Sequence, residues 1–420
     1  MKERLKVLIS AYACSPYRGS EPGVGWGFVT ALAKRHELWV LVEEEKFRGD
    51  IERYLAENPQ FAESVHFHYL RKRRNRWLRR IWPPSYYWYY RRWHEEALEV
   101  AKQLHREIGF DLAHQLTMVG FREPGYLWQL GVPFVWGPVG GMGLFPWRFM
   151  QAVGAYGALY YLGYNLFNAW QMQFSLRPRL AARAAGSGLI AATPENREGA
   201  HRFWGCSSTV MTEVGLPHEP SRSITVRKNG EALRLVWTGL HIPRKALNLA
   251  LEALSRLPPE VAWQLDILGI GPQTVPWKKL AARLGVTDRC HFHGWIERDQ
   301  ALELMQNSHA MLITSLRDLT STVTVEALAS GVPIVCLDHC GFSAVVDDSC
   351  GIKVPLTSIV KTTADLAQAI EALAYDESLR KKLAKGALVR AQAFTWAEKA
   401  RIVDQIYRAR LQPDDAEHPP

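Results

Sequence analysis

Paired cysteine motifs are missing from this chain. Its six cysteines, at 14, 206, 290, 336, 340 and 350, form no CxxC pair that a second pair or a histidine pair could complete into a zinc site. They read as reduced thiols of a cytosolic protein, and no metal ligand set is expected. A dinucleotide fingerprint is missing too. Neither GVGWGF nor GIGPQT completes GxGxxG, and the first stands well away from its strand, which sets aside a nicotinamide site. There is no internal repeat and no low-complexity tract. Acidic residues are absent between Arg71 and Arg92, where nine Lys/Arg stand at 71, 72, 73, 74, 76, 79, 80, 91 and 92. The other 42 basic residues match the 42 acidic ones, so the net charge of +9 is one patch. Charged residues of either sign are absent from Phe149 to Leu176.

What is present is a globular composition, 47% hydrophobic and 22% charged, on 420 residues, more than one core usually organises. MKERLKVLISAYA has the basic start and short apolar run of a secretory signal. The run is only strand-length and leads to a Gly-rich turn without a cleavage site, so a first β-strand is expected. Strand-like runs then alternate with helical patterns: LKVLISAY, GWGFVTALAKRH, ELWVLVEE, FDLAHQL, VPFVWG. After a polar, Pro-containing stretch the rhythm restarts with LRLVWTG, WQLDILG, CHFHGW, AMLITS and PIVCLD, with helices between. Such alternation predicts an α/β protein with parallel sheets covered on both faces. Two Rossmann-like domains follow, at 1–216 and 231–394, joined by a linker at 217–230. A helix at 395–411 is expected to pack back toward the first domain, and 412–420 reads as a tail. Two segments of the first domain break the rhythm: the basic run 71–93, in which eight Trp/Tyr interleave with the charges, and the uncharged segment 149–176.

In doubly wound sheets ligands bind beyond the carboxyl ends of the strands, so the strand-to-helix loops are where function is sought. DLTSTVTVEA, after AMLITS, places Asp318 before a helix start that carries Ser321 and Thr322, with Glu326 about one turn inside. Backbone N–H groups there suit a phosphate or sugar oxygen, and Glu326 can accept from a vicinal diol. Helix capping by Ser321 or Thr322 beside a solvated Asp318 explains the same residues. TGLHIPRKALN puts Arg244 and Lys245 at a helix start, where cations are unfavourable unless an anion is shared. Two solvated charges are the plainer reading. SPYRGSEPGVGWGF offers Gly23 and Gly25 for close approach of backbone to a ligand, or for a turn. His114, in FDLAHQLT, falls at a strand end, either structural or facing a ligand.

With these loops in view the chain resembles the retaining glycosyltransferases of the GT-B fold, glycosyltransferase family 4, the group 1 glycosyl transferases, over nearly its whole length. The resemblance is carried by GSEPGVGW, WGPVGG at 136–141, RKA at 244–246, LGIGP at 268–272, FHGWI at 292–296, the acidic pair with ASGVPIV behind it, and CGIKV at 350–354. DLTSTVTVE then looks like that family's E-x7-E motif with Asp318 in the first place. The resemblance implies two Rossmann-like domains facing each other across a cleft, the first on the acceptor side and the second holding a nucleotide-sugar donor. It implies that Glu326 holds the nucleotide ribose and that Asp318 contacts the transferred sugar. Ser321 and Thr322 would offer backbone N–H groups, and Lys245 with Arg244 would bind the diphosphate. Gly23 and Val24 would approach it from the other domain, His114 would meet the sugar's hydroxymethyl group, and Ile296 would flank the base. The leaving diphosphate helps deprotonate the acceptor in such enzymes, so neither a metal nor a further cofactor is implied. The sequence departs from the family at Asp318 (usually Glu), at Leu240 (usually Arg), and at Ala246 and around Ser321 (usually Gly).

Clustered Arg attracts anionic headgroups and Trp/Tyr favour the interfacial zone, so the basic run implies peripheral attachment to an anionic membrane. The uncharged segment is expected to be an amphipathic helix, buried or interfacial. The resulting expectation is a cytoplasmic enzyme at the inner membrane face, moving a hexosyl group to a glycan or lipid-linked glycan acceptor. Two alternatives stand beside it: a catalytically weakened homologue that binds glycan or membrane, motivated by Leu240 and Asp318, and a single-stranded nucleic-acid binder using the Arg/aromatic run.

Overall fold

A computed structural model describes residues 3–73, 76–82, 85–217, 220 and 223–412. All of the expected tail 412–420 but its first residue, linker positions 218, 219, 221 and 222, and positions 74, 75, 83 and 84 of the basic run 71–93 lie outside the described residues. The chain divides into two compact units. One comprises Met1–Met142, Trp170–Gly215 and Trp396–Pro420; the other comprises Gly143–Ala169 and Leu216–Thr395.

The first unit holds β1 (Lys6–Ala11), β2 (Glu37–Glu43), β3 (Val65–Leu70), β4 (Leu112–Thr117), β5 (Phe134–Val139), β6 (Leu189–Ala191) and β7 (Thr209–Val210). They form one parallel sheet in the order β3-β2-β1-β4-β5-β6-β7. β4 and β5 are buried along their whole length, as expected of strands with helices on both faces. β3 escapes a sequence reading because VHFHYL interleaves histidines with its apolar residues, and β6 and β7 are too short to show a period.

The second unit holds β8 (Leu233–Thr238), β9 (Trp263–Leu268), β10 (Cys290–Gly294), β11 (Ala310–Ile313), β12 (Ile334–Leu337) and β13 (Gly351–Val354). They form a parallel sheet in the order β10-β9-β8-β11-β12-β13. In each sheet the order reverses beside the first strand, between β1 and β4 and between β8 and β11. At such a switch point the loops on the two sides diverge and leave a crevice for a ligand.

The structure places one segment differently from the sequence reading. Residues 143–169, expected in the first domain, pack with the second unit. The reason is apolar: Phe145 and Phe149 are fully buried and, with Tyr161, join the cluster that contains Leu235, Trp237 and Leu247. Asn165 fixes the arrangement by accepting from the Phe145 N–H and donating to the Phe145 carbonyl, each at 2.8 Å. An uncharged run does not by itself declare which core it joins. At the other end of the chain, helix Trp396–Leu411 returns to the first unit, with Val403 and Tyr407 fully buried. Its Trp396 ring lies so close to Gly27 that a Cβ there would come within 2.1 Å, so only glycine fits.

Candidate active site

The second sheet's switch point is built by the loops after β8 and β11. The first carries a short 3-10 turn, Pro243–Lys245, before helix Leu247–Leu254; the second runs to helix Thr322–Ala329. The loops are tied together. Leu316 N–H donates to the Arg244 carbonyl at 2.8 Å, Thr314 Oγ1 donates to the Lys245 carbonyl at 3.0 Å, and Trp237 Nε1 donates to Thr314 Oγ1 at 3.1 Å. Three of the expected site residues are thereby brought together. Lys245 Nζ donates to Asp318 Oδ2, and Arg244 Nη1 lies 3.4 Å from Asp318 Oδ1 while donating to the Arg317 carbonyl at 2.7 Å.

Burial alone would raise the Asp318 carboxyl, but Lys245 and Arg244 outweigh it and hold Asp318 below the usual carboxylate range. Two cations thus face one carboxylate in a largely enclosed place, the Lys245 side chain being only 11% exposed. The trio keeps one positive charge in excess and fits an added anion. A third cation, Arg317, was not singled out in the sequence; it lies over the Tyr164 ring at 3.8 Å and donates to the Tyr164 hydroxyl. Its only signal was a third basic side chain in these two loops.

Glu326 stands in helix Thr322–Ala329 with its side chain 11% exposed, paired with the exposed Arg298. Arg298, which opens helix Arg298–Gln306 two residues after the half-exposed Ile296, was also missed. Glu326 is thus held from the start of the helix that follows the loop carrying Ile296. Thr322 opens the Glu326 helix, and Ser321, its N-cap position, makes no side-chain cap bond, which removes the simple capping explanation. Ser321 takes φ 71° and Ala246 takes φ 47°, left-handed values that cost a residue with a Cβ about 1–3 kcal/mol. Ser321→Gly should therefore raise stability by about 1 kcal/mol, the relief of strain exceeding the added entropy of the unfolded chain. Urea denaturation reads this out, and a lower midpoint in the variant would show that Ser321 is not strained.

In the first unit the residues near β1 and β4 read differently from expectation. Gly23 and Val24 lie in the first turn of helix Glu21–Ala33, not in an open loop, and Val24 N–H already donates to Ser20 O at 3.0 Å. Gly25 is demanded by the chain's own backbone, since a Cβ there would stand 2.2 Å from the Ala13 carbonyl oxygen. His114 is corrected more strongly. It is fully buried, with Nε2 at 2.8 Å from the Gly137 carbonyl and Nδ1 at 2.6 Å from the Tyr407 hydroxyl. A carbonyl only accepts, so Nε2 carries the proton and Nδ1 accepts from Tyr407. Burial lowers its pKa to about 4, and no ring atom faces outward to meet a sugar. Glu21, not singled out in the sequence, accepts from Val119 N–H at 2.7 Å, and burial raises its pKa to about 7.

One cation of the basic run, Lys72, is enclosed, while the side chains of Arg71 and Arg73 remain 76% and 77% exposed. Lys72 is buried among the rings of Tyr12, Tyr86 and Tyr90, the nearest at 3.8 Å. Arg71 and Arg73 pair with Glu45 and Glu96 at 3.3 and 3.5 Å, carboxylates from outside the run. Trp77, Trp82, Tyr87 and Trp88 remain exposed. Among the described residues no helix is long and apolar enough to cross a membrane.

Comparison with known proteins agrees with this architecture. Residues 226–390 match the family model for Glycosyl transferases group 1. The chain is 27% identical over 251 residues to the D-inositol 3-phosphate glycosyltransferase of Streptomyces bingchenggensis (strain BCW-1), covering 54% of each. It spans about half the length of the curated relatives it matches. Among solved structures it is similar to the apo form of the lipopolysaccharide outer core galactosyltransferase WaaB, with a TM-score of 0.63 at 12% identity over 96% of this chain and 99% of that one. It is likewise similar to Anabaena HepE in complex with UDP-glucose, with a TM-score of 0.57 at 14% identity over 97% and 100%. At these identities the structural likeness is one of fold. The chain therefore has the GT-B fold, and its residues 226–390 belong to the group 1 glycosyl transferases.

Proposed function

We propose that this protein transfers a hexosyl group, with retention, from a nucleotide-sugar donor to a glycan or lipid-linked glycan acceptor. The observation that carries the reading is the convergence of Lys245, Arg244 and Asp318 at the switch point of the second sheet, with Glu326 on the helix that follows. Lys245 and Arg244 take the diphosphate, whose negative charge grows as the sugar leaves. The donor displaces Asp318 from the cations, and its carboxylate turns to the sugar hydroxyls. Glu326, exchanging Arg298 for the donor, accepts from the ribose diol. Ser321 and Thr322 offer backbone N–H groups, and Ile296 packs beside the base. The diphosphate itself helps deprotonate the acceptor, so the reading gives no part to a metal or further cofactor. A related fold binding UDP-glucose supports a nucleotide sugar as donor. A lipid-linked acceptor would place the enzyme peripherally at the cytoplasmic membrane face.

A thermal-shift panel of UDP-, GDP- and ADP-sugars tests the donor. A cognate sugar at about 100 times its Kd adds about 2.7 kcal/mol, enough to raise Tm by several degrees. No response to any of them, or an equal response in Lys245→Ala, would contradict the reading.

A further inference from the structure

Helix Gly154–Phe174 buries Tyr161 and Met172 together with two amides and leaves a second apolar face uncovered. Its protein-facing side carries amides: Asn165 and Asn168 are fully buried, and Asn165 makes both bonds to Phe145. Its outward side carries Tyr156, Leu159, Tyr160, Leu166, Phe167 and Trp170, all exposed, Tyr156 by 85% and Leu159 by 71%. At 3.6 residues per turn these six fall within an arc of about 120°, so they form one stripe along a helix about 31 Å long. Single exposed apolar residues are ordinary, but a contiguous stripe of this size marks an interaction surface.

Charge identifies the occupant. No Asp or Glu occurs between Glu123 and Glu195, where the only charged residues are Arg148, Arg177, Arg179 and Arg183. The stripe is uncharged and rich in Trp, Tyr and Phe; of the flanking arginines Arg177 is taken by the buried Glu123, which leaves Arg148, Arg179 and Arg183. Aromatic side chains at the water boundary with cations beside them suit the interfacial zone of an anionic bilayer. A second copy fits poorly. A two-fold contact between antiparallel helices would set the Arg148 end of one against the Arg179 and Arg183 end of the other, with no carboxylate in this segment to neutralise them. The buried amides on the opposite side mean that the helix lies along the protein, and it is not apolar enough to span.

We propose that this outward stripe is a lipid-contacting face, lying in the interface of an anionic membrane with its aromatic side chains among the headgroups and upper acyl chains. The proposal deepens the membrane-facing reading above, but it rests on residues other than the basic run. It needs neither donor nor acceptor.

The test uses the full chain, without nucleotide, and co-sedimentation with vesicles of phosphatidylcholine plus phosphatidylglycerol. The double variant Leu159→Ser/Phe167→Ser should bind at least about tenfold more weakly, each large apolar side chain contributing about that factor when buried. The single variant Leu166→Glu should do the same, and both should melt like the parent because the replaced side chains are exposed. Arg71→Gln/Arg73→Gln should lower only the salt-sensitive part of binding. Brominated phosphatidylcholine in the same vesicles should quench part of the tryptophan emission, and Trp170→Phe should remove that part. Parent-level binding by both stripe variants would overturn the proposal. So would a lipid-free dimer that these variants dissolve, since the occupant would then be a second copy. A failed donor reading would leave all these measurements unmoved.

Discussion

Lys245→Ala should lower kcat for sugar transfer by about 100- to 1,000-fold, the range typical for removing one preorganised group aimed at developing charge. The argument rests on the enclosed place that Lys245 occupies beside Asp318. A cation largely screened from water acts strongly on a departing diphosphate, and with Leu240, exposed where the family usually carries an arginine, the loop after β8 keeps only Arg244 beside Lys245. Arg244, whose side chain is more exposed at 26%, should matter less, so Arg244→Ala should lose less activity than Lys245→Ala. The variant also disturbs Asp318. With Lys245 gone the effect of burial is opposed only by Arg244 and the Leu319 N–H, and the carboxyl should titrate higher than in the parent. Steady-state kinetics on the cognate donor, with the pH profile of both variants, checks each part. Parent-like turnover in Lys245→Ala would leave the diphosphate without its principal partner and would refute the assignment.

Acid should unfold the protein steeply, for a reason unrelated to the candidate site. Burial lowers His114 to about 4, and burial lowers His94 to about 3 with Arg177 and Lys72 adding to the effect. Both residues are neutral in the folded chain, whereas an unfolded histidine titrates near 6.5. Between these values the unfolded state binds more protons, so stability rises with pH there and is lost as pH falls. Above about pH 6.5 the two residues have no effect. By about pH 4 the loss amounts to about 3 kcal/mol for His114 and a similar amount for His94, a large share of a typical folding free energy. Urea denaturation from about pH 7.5 down to about pH 4.5 should show this slope, and His114→Asn should reduce it by about one proton. A flat profile, or greater stability on acidification, would show that these imidazoles are not held neutral.

Much of the fold was legible because parallel strands buried on both faces must be apolar along their length. IVCL stands out on that ground alone, whereas LRLVWT and WQLDIL carry polar residues at half-buried or exposed positions and show the period-two alternation of a strand instead. The loops after β8 and β11 were legible for another reason: cations at one helix start and hydroxyls at another are costly or idle without a ligand. Burial and partnership were not legible. Lys72 looks like one more surface charge in a basic run, yet three tyrosine rings enclose it. His114 sits at a strand end as a ligand-facing histidine would, and only Tyr407, 293 residues away, shows what it serves. The glycines of GSEPGVGW invite a ligand, but Gly25 answers to the Ala13 carbonyl. Residues 143–169 follow five strands of the first sheet and still join the second core, because the complementary surface for Phe145 and Phe149 comes from residues beyond 230.

A crystal structure of the protein with its donor would be decisive. The diphosphate should lie within hydrogen-bond reach of Lys245 Nζ and the Arg244 guanidinium, with the ribose hydroxyls on Glu326 and Asp318 released toward the sugar. A nucleotide bound elsewhere, with Lys245 still paired to Asp318 and Glu326 to Arg298, would contradict the account.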